Sequence, residues 1–387
     1  MKKNVLFVVL VLALVLVGCA EHEHVWDEGV VSKKASCTEA GERIYTCETC
    51  KATRTEAIPA TGHSYEFEIA TPATCVENGV ETEVCSVCKE KSGETRTIPA
   101  AHKYNADGVC SVCGAKKDEV EKAEARIGTK YYATLSEAVK SLAEEGAPKS
   151  ATVVVLGDKV VLENFSSLIT SNQREYSITF VGRGKDKTTI DVNTKQPNYE
   201  SGGANYIEGA KLTFKDLTVC IGANANYQGF IRAGELTFDS CSIEGMGSYW
   251  GVGDVVFTNC EFKDNLTDYN LWLYSGNSFK FEDCTFTSSV GKFINAYKEQ
   301  DVPSTVAISN CKFVGVEKKY PALFLKPGSI WTVGIEKAVC ENVETGTVSG
   351  SPFYEIRLKE NCVDLKTETK VSIDGTVVWE NGARKNN

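Results

Sequence analysis

The stretch LTFDSCSI (Leu236–Ile243) decides the fold. Apolar and polar residues alternate on both sides of its central Asp-Ser pair, and this period of two predicts two short β-strands joined by a tight turn. The same pattern, apolar-x-apolar-x-(Asn, Asp or Ser)-(Cys or Leu)-x-apolar, occurs five times. The other four copies are LTFKDLTV (Leu212–Val219), VVFTNCEF (Val255–Phe262), FKFEDCTF (Phe279–Phe286) and VAISNCKF (Val306–Phe313).

One polar residue marks the turn in each copy, and these residues recur every 19 to 27 positions. Asn and Asp tolerate the left-handed backbone conformation that such a corner requires. The spacing is that of a parallel β-solenoid, in which each coil buries its apolar face only by stacking on its neighbours. The predicted corners are Asp216, Ser240, Asn259, Asp283 and Asn310.

A further short apolar strand precedes several of these corner pairs, which gives three strands per coil. These strands are GFIRAG (Gly229–Gly234), LWLYSG (Leu271–Gly276), KFINAY (Lys292–Tyr297) and ALFLKP (Ala322–Pro327). The arrangement resembles the right-handed, pectin-lyase-like β-helix over about residues 150–380. The resemblance implies a mainly β protein with a right-handed parallel β-helix domain at 127–380, but this fold hosts many activities.

The sequence also predicts how the two ends of this domain are formed and which side chains fill its interior. Thr134–Gly146 opens with a Thr-x-x-Glu capping box and predicts a helix that covers the first coil. Val371–Trp379 predicts a terminal hairpin. Four cysteines occupy the same slot in successive coils, so we expect an inward ladder of small apolar side chains. They are Cys241, Cys260, Cys284 and Cys311.

The N-terminus predicts the compartment. Lys2 and Lys3 precede the apolar run Val5–Val17, which suits a signal peptide better than a membrane span. The run ends in LVGC (Leu16–Cys19), which resembles the bacterial lipobox. That resemblance implies a signal peptide at 1–18, a lipid on Cys19 and an extracytoplasmic, surface-exposed chain anchored to the bacterial cell membrane. An ordinary signal peptide is the alternative.

Residues 19–115 form a repeat array, followed by a charged linker at 116–126. The modules are 24–62, 63–101 and a truncated 102–115, and each full module reads H-x(11 or 12)-C-x9-C-x2-C. The array resembles His/Cys repeats of surface proteins from anaerobic Gram-positive bacteria. Modules of about forty residues bury little apolar surface and usually need disulfides or a metal.

Three thiols cannot all pair within one module, whereas three thiolates and an imidazole complete a tetrahedral zinc shell. Because the truncated module begins with His102, we assign each histidine to the cysteines that follow it and expect the third site to be incomplete. Disulfides, a redox centre and the opposite histidine phase stay open as alternatives. The predicted structural zinc ligands are His24, Cys37, Cys47 and Cys50, and then His63, Cys75, Cys85 and Cys88.

Catalysis has little support in the sequence, and no catalytic residue is assigned. Polygalacturonase-like β-helices use a histidine, and none follows His102. Pectate-lyase-like members hold calcium with acidic residues beside an Arg or Lys base. The candidate bases here are Arg232, Arg357 and Lys359, but no acidic cluster of matching spacing accompanies them. Calcium is therefore expected only under the alternative of a polysaccharide lyase.

Binding is the leading expectation. If the alternate leucines of the third strands face inward, an aromatic row faces outward and could bind glycan or a surface protein, unless long loops cover it. The net charge of −10 argues against nucleic acid as a partner. A structural spacer or a metal-handling protein remains a further alternative. The predicted ligand-binding residues are Trp272, Tyr274, Asn295, Tyr297, Phe324 and Lys326.

Overall fold

The computed structural model describes residues 22–162, 176–192, 205–221, 231–245, 247–249, 253–263, 269–274, 278–297, 303–325, 330–356 and 369–385. The chain divides into two compact units, Met1–Ala101 and His102–Asn387, so the truncated third module belongs to the second unit. No helix among the described residues has the length and hydropathy needed to cross a bilayer.

The first unit contains two modules of the same architecture. Each described module is a sheet of three antiparallel strands in sequential order, β1-β2-β3 and β4-β5-β6. The strands are β1 (Val30–Lys33), β2 (Gly41–Thr46), β3 (Thr53–Ile58), β4 (Tyr65–Thr71), β5 (Gly79–Cys85) and β6 (Lys91–Ile98). These sheets bury few apolar side chains, as expected for modules of this size.

The second unit begins with two short helices and three strands. They are α1 (Lys117–Lys122), β7 (Ala125–Ile127), β8 (Lys130–Tyr132), α2 (Leu135–Ser141) and β9 (Ser150–Val155). Its remaining strands are short and mostly parallel. They are β10 (Lys159–Val161), β11 (Ser177–Val181), β12 (Thr189–Val192), β13 (Asn205–Lys215), β14 (Thr218–Ile221), β15 (Ile231–Asp239), β16 (Ser242–Glu244), β17 (Gly247–Tyr249), β18 (Asp254–Thr258), β19 (Glu261–Phe262), β20 (Leu271–Tyr274), β21 (Ser278–Glu282), β22 (Thr285–Ser288), β23 (Ile294–Tyr297), β24 (Ser304–Ser309), β25 (Lys312–Gly315), β26 (Leu323–Leu325), β27 (Trp331–Glu336), β28 (Val339–Glu341), β29 (Tyr354–Ile356), β30 (Lys370–Ile373), β31 (Thr376–Glu380) and β32 (Ala383–Arg384).

Within the described ranges, these strands form the three faces of a solenoid. The first sheet runs β32-β31-β30-β27-β24-β21-β18-β15-β13-β11-β9-β7-β8. The second runs β10-β12-β14-β16-β19-β22-β25-β28, and the third runs β17-β20-β23-β26-β29. The predicted strand GFIRAG does not join the third face, because Ile231 lies in β15 and pairs with Asn205 of β13.

The corners between the first and second faces match the prediction. Asp216, Ser240, Asn259, Asp283 and Asn310 all have φ between 53° and 56°. Lys337 makes the same turn with φ 50° between β27 and β28. Asn and Asp adopt this conformation at low cost, and lysine does so rarely, which is why the sequence pattern did not reveal this further corner.

The core is built from columns of identical side chains. Phe180, Phe214, Phe238, Phe257 and Phe281 stack through the first face with successive centroid separations of 5.0, 5.3, 4.7 and 5.1 Å. The cysteine ladder points inward, since each of its four members is at most 1% exposed. Burial and contact with neighbouring thiols raise the pKa of Cys260, Cys284 and Cys311. The adjacent Cys241 thiol is the largest cause that raises the pKa of Cys260 to about 12.

Both ends of the stack are closed. Thr134 caps α2, where its side chain accepts a hydrogen bond from the Glu137 backbone N–H at 3.1 Å. Leu135, Ala138 and Val139 of α2 are fully buried within the core of the first coil. At the other end, β30 and β31 form the predicted antiparallel hairpin.

Candidate metal centres and an aromatic surface

In each of the two full modules, the C-x2-C pair lies at the end of the second strand and in the turn that follows it. Cys47 N donates to Ala52 O at 2.8 Å, and Lys51 N donates to Cys47 O at 3.0 Å. Lys51 has φ 61°, which folds the turn back on itself and aims backbone N–H groups at the first thiol. The turn that contains Cys85 and its neighbours repeats the same bonds.

These N–H groups favour the thiolate form of the first cysteine in each pair. The Cys50 backbone N–H and then the His22 ring lower the pKa of Cys47 to about 5. The Cys88 backbone N–H lowers the pKa of Cys85 to about 5 as well, against the effect of burial. Because the thiolate is the form that ligates metals, the lowered pKa of the first cysteine favours binding of a metal cation at both turns.

We call the groups of His and Cys side chains that could hold a metal ion metal-binding groups, and the first consists of His22, His24, Cys47 and Cys50. Cys50 Sγ lies 3.3 Å from His24 Nδ1, and Cys47 Sγ lies 3.7 Å from His22 Nε2. All four ligand atoms lie within 4.8 Å of one another. Two thiols and two imidazoles are a common ligand set for structural zinc.

The second metal-binding group consists of Cys37, His63, Cys85 and Cys88. Cys88 Sγ lies 3.3 Å from His63 Nδ1, and the Cys37 and Cys85 sulfurs are 3.8 Å apart. Burial and then the neighbouring thiols raise the pKa of Cys37 to about 11. A divalent cation among the three sulfurs would offset this mutual repulsion.

These distances fit a tetrahedral ion. Bonds of about 2.3 Å to sulfur and about 2.0 Å to nitrogen give S–S edges of about 3.8 Å and S–N edges of about 3.5 Å. The sulfur separation is far beyond the roughly 2.05 Å of a disulfide. His63 Nε2 also lies 3.6 Å from a Glu90 carboxylate oxygen, a second contact typical of metal-ligating histidines. The groups can therefore bind a metal such as zinc.

The grouping departs from the predicted shells at the first cysteine of each module. Each histidine lies beside the C-x2-C pair that follows it, as expected. Cys37, however, joins the group of the next module, and His22 takes its place in the first group. Cys75 lies between β4 and β5, half-exposed, and is not part of the second group. The sequence offered a signal for His22, since it stands two residues before His24, but the repeat pattern alone gave it no role.

Backbone hydrogen bonds explain why Cys37 moves to the next group. Gly62 N donates to Cys37 O at 3.1 Å, and Thr61 N donates to Ser36 O at 2.9 Å. The chain leaving β3 therefore returns to the turn between β1 and β2 immediately before His63. The turn and the histidine that follows the module are thus brought together by the main chain.

In the second unit, His102, Cys110 and Cys113 are also brought together. Cys113 Sγ lies 3.3 Å from His102 Nδ1, while His102 Nε2 lies 2.8 Å from the Tyr131 hydroxyl. Burial raises the pKa of Cys110, but backbone N–H groups led by that of Cys113 outweigh it and lower the value to about 5. The truncated module thus retains the same turn chemistry as the full modules.

The third face of the solenoid carries the predicted row. Leu271 and Leu273 are buried, and Trp272 between them is half-exposed, so the predicted alternation holds. Trp272, Asn295 and Phe324 pair in register across three strands. Asn295 is only 8% exposed, so it is covered, in contrast to the prediction. The side chain of Tyr274 and the whole of Lys326 lie outside the described residues.

Two further tyrosines, Tyr269 and Tyr320, join this row, and we call the five rings the aromatic surface. Tyr269 is only 7% exposed, whereas the other four rings are partly exposed. Successive centroids are separated by 5.7, 5.7, 6.1 and 5.9 Å in the order Tyr297, Trp272, Tyr269, Tyr320, Phe324. Adjacent rings are inclined by 40° to 81°, so they form a cluster of tilted and edge-to-face pairs and not a flat platform. Tyrosines that precede the strands were missed because only strand positions were considered.

Two lysines lie at the aromatic surface. Lys292 Nζ is 5.6 Å from the Tyr269 ring centre, and Lys319 Nζ is 6.0 Å from that of Tyr320. Asn270 is buried beside them and donates to the backbone oxygens of Lys263 and Thr287, which fixes the entry to β20. The surface thus combines aromatic rings with positive charge on a rigid strand array.

The structure describes the candidate bases of the lyase alternative only in part. Arg357 and Lys359 lie outside the described residues, as does the side chain of Arg232. In the described part of the chain, the groups able to hold a metal ion all contain cysteine and histidine, and no purely acidic group of three was found.

Residues 177–335 match a protein-family model described as "Right handed beta helix region". The match extends from the first residue of β11 into β27 and covers the parallel coils described above. The fold is a right-handed parallel β-helix. No curated protein and no solved structure matches the chain. The β-helix hosts both surface proteins and enzymes, so the fold alone does not select an activity.

Proposed function

We propose that this protein is a lipid-anchored surface protein of the bacterial cell envelope whose β-helix binds acidic glycans at the aromatic surface. The observation that carries the proposal is the combination of half-exposed Trp272 and Phe324 with Lys292 and Lys319 on one face of the helix. Aromatic rings contact the apolar faces of sugars, and ammonium groups attract their carboxylates.

The anchor is supported by the N-terminal sequence. The positive start, the apolar run and LVGC at Leu16–Cys19 suit a lipidated cysteine at the membrane surface. A single acyl chain binds membranes only marginally, so stable anchoring requires more than one lipid chain or a second signal. The mature chain then begins three residues before His22.

The modules between this anchor and the β-helix are proposed to bind structural zinc. The first and second metal-binding groups have Cys2His2 and Cys3His ligand sets, and their sulfur and nitrogen separations match tetrahedral edges. Zinc would supply the folding free energy that the small cores of these modules lack. We expect at least two equivalents of zinc per chain by elemental analysis.

The glycan proposal is tested with the mature chain on an array of acidic and neutral glycans, followed by calorimetry on the best ligand. Trp272→Ala should weaken binding by about 1–3 kcal/mol, as for an interface hot spot. Lys319→Gln should weaken acidic ligands only. Its matched control is Lys312→Gln, which removes a lysine paired with Glu341 at 2.7 Å on the second face.

Two outcomes would contradict the proposal. One is an array without any bound glycan, and the other is a Trp272→Ala variant that binds as tightly as the unaltered chain. Absorbance of unsaturated uronate products is recorded in the same samples. Their appearance would favour the lyase alternative over simple binding.

A further inference from the structure

We infer that the ion of the second metal-binding group is a link between two modules, held by Cys37 of the first module and by His63, Cys85 and Cys88 of the second. The inference rests on the proposed zinc binding and adds to it which module contributes each ligand. A shell closed within one module would stabilise that module alone. A shell shared by two modules also fixes their relative position.

The ligand distances carry this assignment. Cys37 Sγ is 3.8 Å from Cys85 Sγ, and all four ligand atoms of the group lie within 4.8 Å of one another. Cys37 is 5% exposed, so its thiol is buried among these partners and not directed into solvent. Cys47 and Cys50 of its own module belong to the first metal-binding group.

The protein provides few other connections at this junction. The strands β1-β2-β3 and β4-β5-β6 are separate sheets, and no ladder joins them in the described part of the chain. The main-chain bonds from Thr61 and Gly62 to the turn of Cys37 bring the partners together, but each such bond adds only about 1 kcal/mol. A structural zinc site contributes about 10 kcal/mol or more of binding free energy, so the ion would dominate the junction.

The first metal-binding group differs from the second in its fourth ligand. His22 stands there where Cys37 stands in the second group. The four ligands of the first group come from the segment at His22–His24 and from the following C-x2-C turn. The ligands of the first group thus lie within the first module or directly before it, whereas the ion of the second group would join two modules.

The experiment compares Cys88→Ala with Cys50→Ala in the mature chain, each with zinc and after chelation. Alkylation of every cysteine by iodoacetamide is read by mass spectrometry. Cys220 in the β-helix lies outside both groups and is the zinc-independent reference. The matched pair removes the same ligand type from the same turn position in successive modules.

We expect Cys88→Ala to abolish zinc-dependent protection of Cys37 and Cys85 while Cys47 stays protected. Cys50→Ala should expose Cys47 and leave Cys37 protected. The protected cysteines report that the other module is still folded in each variant, so local unfolding cannot imitate the result.

Two outcomes would overturn the inference, and they are distinguishable. If Cys37 loses protection together with Cys47 in Cys50→Ala and keeps it in Cys88→Ala, zinc is bound within modules and the link is absent. If chelation changes the alkylation of no cysteine in the unaltered chain, the zinc proposal itself fails, and the link fails with it.

Discussion

Replacing Gly41 with alanine tests how the first module holds Cys37. A Cβ at Gly41 would lie 2.5 Å from Ala35 N and 2.5 Å from Lys33 O, whereas ordinary contacts begin at 3.4 Å. The turn between β1 and β2 must therefore move by about 0.9 Å, because both obstacles are backbone atoms. Cys37 lies two residues beyond Ala35 in this turn and would move with it.

The size of the effect follows from this displacement. Overpacking of this kind costs about 1–3 kcal/mol. Metal–ligand distances tolerate only about 0.2 Å of error, so most of the cost should appear as weaker zinc binding at the second metal-binding group. At 1.4 kcal/mol per factor of ten, the affinity of that group should fall by about 5- to 140-fold.

The assay is zinc transfer from the mature chain to a chromophoric chelator, with alkylation of Cys37 and Cys47 to identify the group that releases the ion. The control is Gly334→Ala in β27, where an added Cβ meets no heavy atom within 4 Å. The reasoning is refuted if Gly41→Ala weakens the first group in place of the second, or if it leaves both affinities unchanged.

Three further predictions concern the anchor and the β-helix. Cys19→Ala should abolish incorporation of radiolabelled fatty acid and release the protein from the membrane fraction; a labelled variant would contradict the lipid assignment. Cys260 and Cys284, whose pKa values are raised to about 12, should resist iodoacetamide at pH 8 until the chain unfolds, because only about one thiol in ten thousand is ionised there. Lys337→Asn should raise the unfolding free energy by up to about 1 kcal/mol, because asparagine tolerates φ 50° better than lysine, and a lowered denaturation midpoint would argue against this.

The β-helix was largely predictable because its signals are local. The corner residues, the alternation around them and the cysteine slot are each written within eight residues, and stacking repeats the pattern in space. The corner at Lys337 was not predicted, because lysine rarely adopts a positive φ and stands here in the position that Asn, Asp or Ser occupies at the other corners. At this corner the Lys337 backbone N–H donates a hydrogen bond to Asp374 Oδ1 of the next coil at 2.8 Å.

The metal-binding groups were only half predictable for a physical reason. A repeat with translational symmetry is equally consistent with ligands that close within a module and ligands that reach the next one. Two backbone hydrogen bonds, from Thr61 and Gly62 to the turn of Cys37, favour the arrangement in which ligands come from two modules. They join segments about 25 residues apart. Sequence spacing does not encode these bonds, so the spacing alone did not predict that Cys37 lies beside His63, Cys85 and Cys88.

The aromatic surface shows a similar limit. Alternation placed Trp272 and Phe324 outside the core, because side-chain direction in a strand follows directly from position. It did not place Tyr269 and Tyr320, which lie outside strands, and it left Asn295 exposed although neighbouring side chains cover it. Contacts made across coils by residues between strands have no periodic signature.

The closed ends of the β-helix have a consequence for how this protein can evolve. Parallel stacks with bare edges grow by adding copies end to end, as fibrils do. Here α2 covers one end and the antiparallel strands β31 and β32 complete the other, with Trp379 packed into the core at 4% exposed. Insertion or deletion of a whole coil between these ends leaves both untouched. Duplication of one coil would therefore add about 4.8 Å to the face that carries the aromatic surface without exposing a further unpaired strand edge, so the solenoid can vary in length between its two ends.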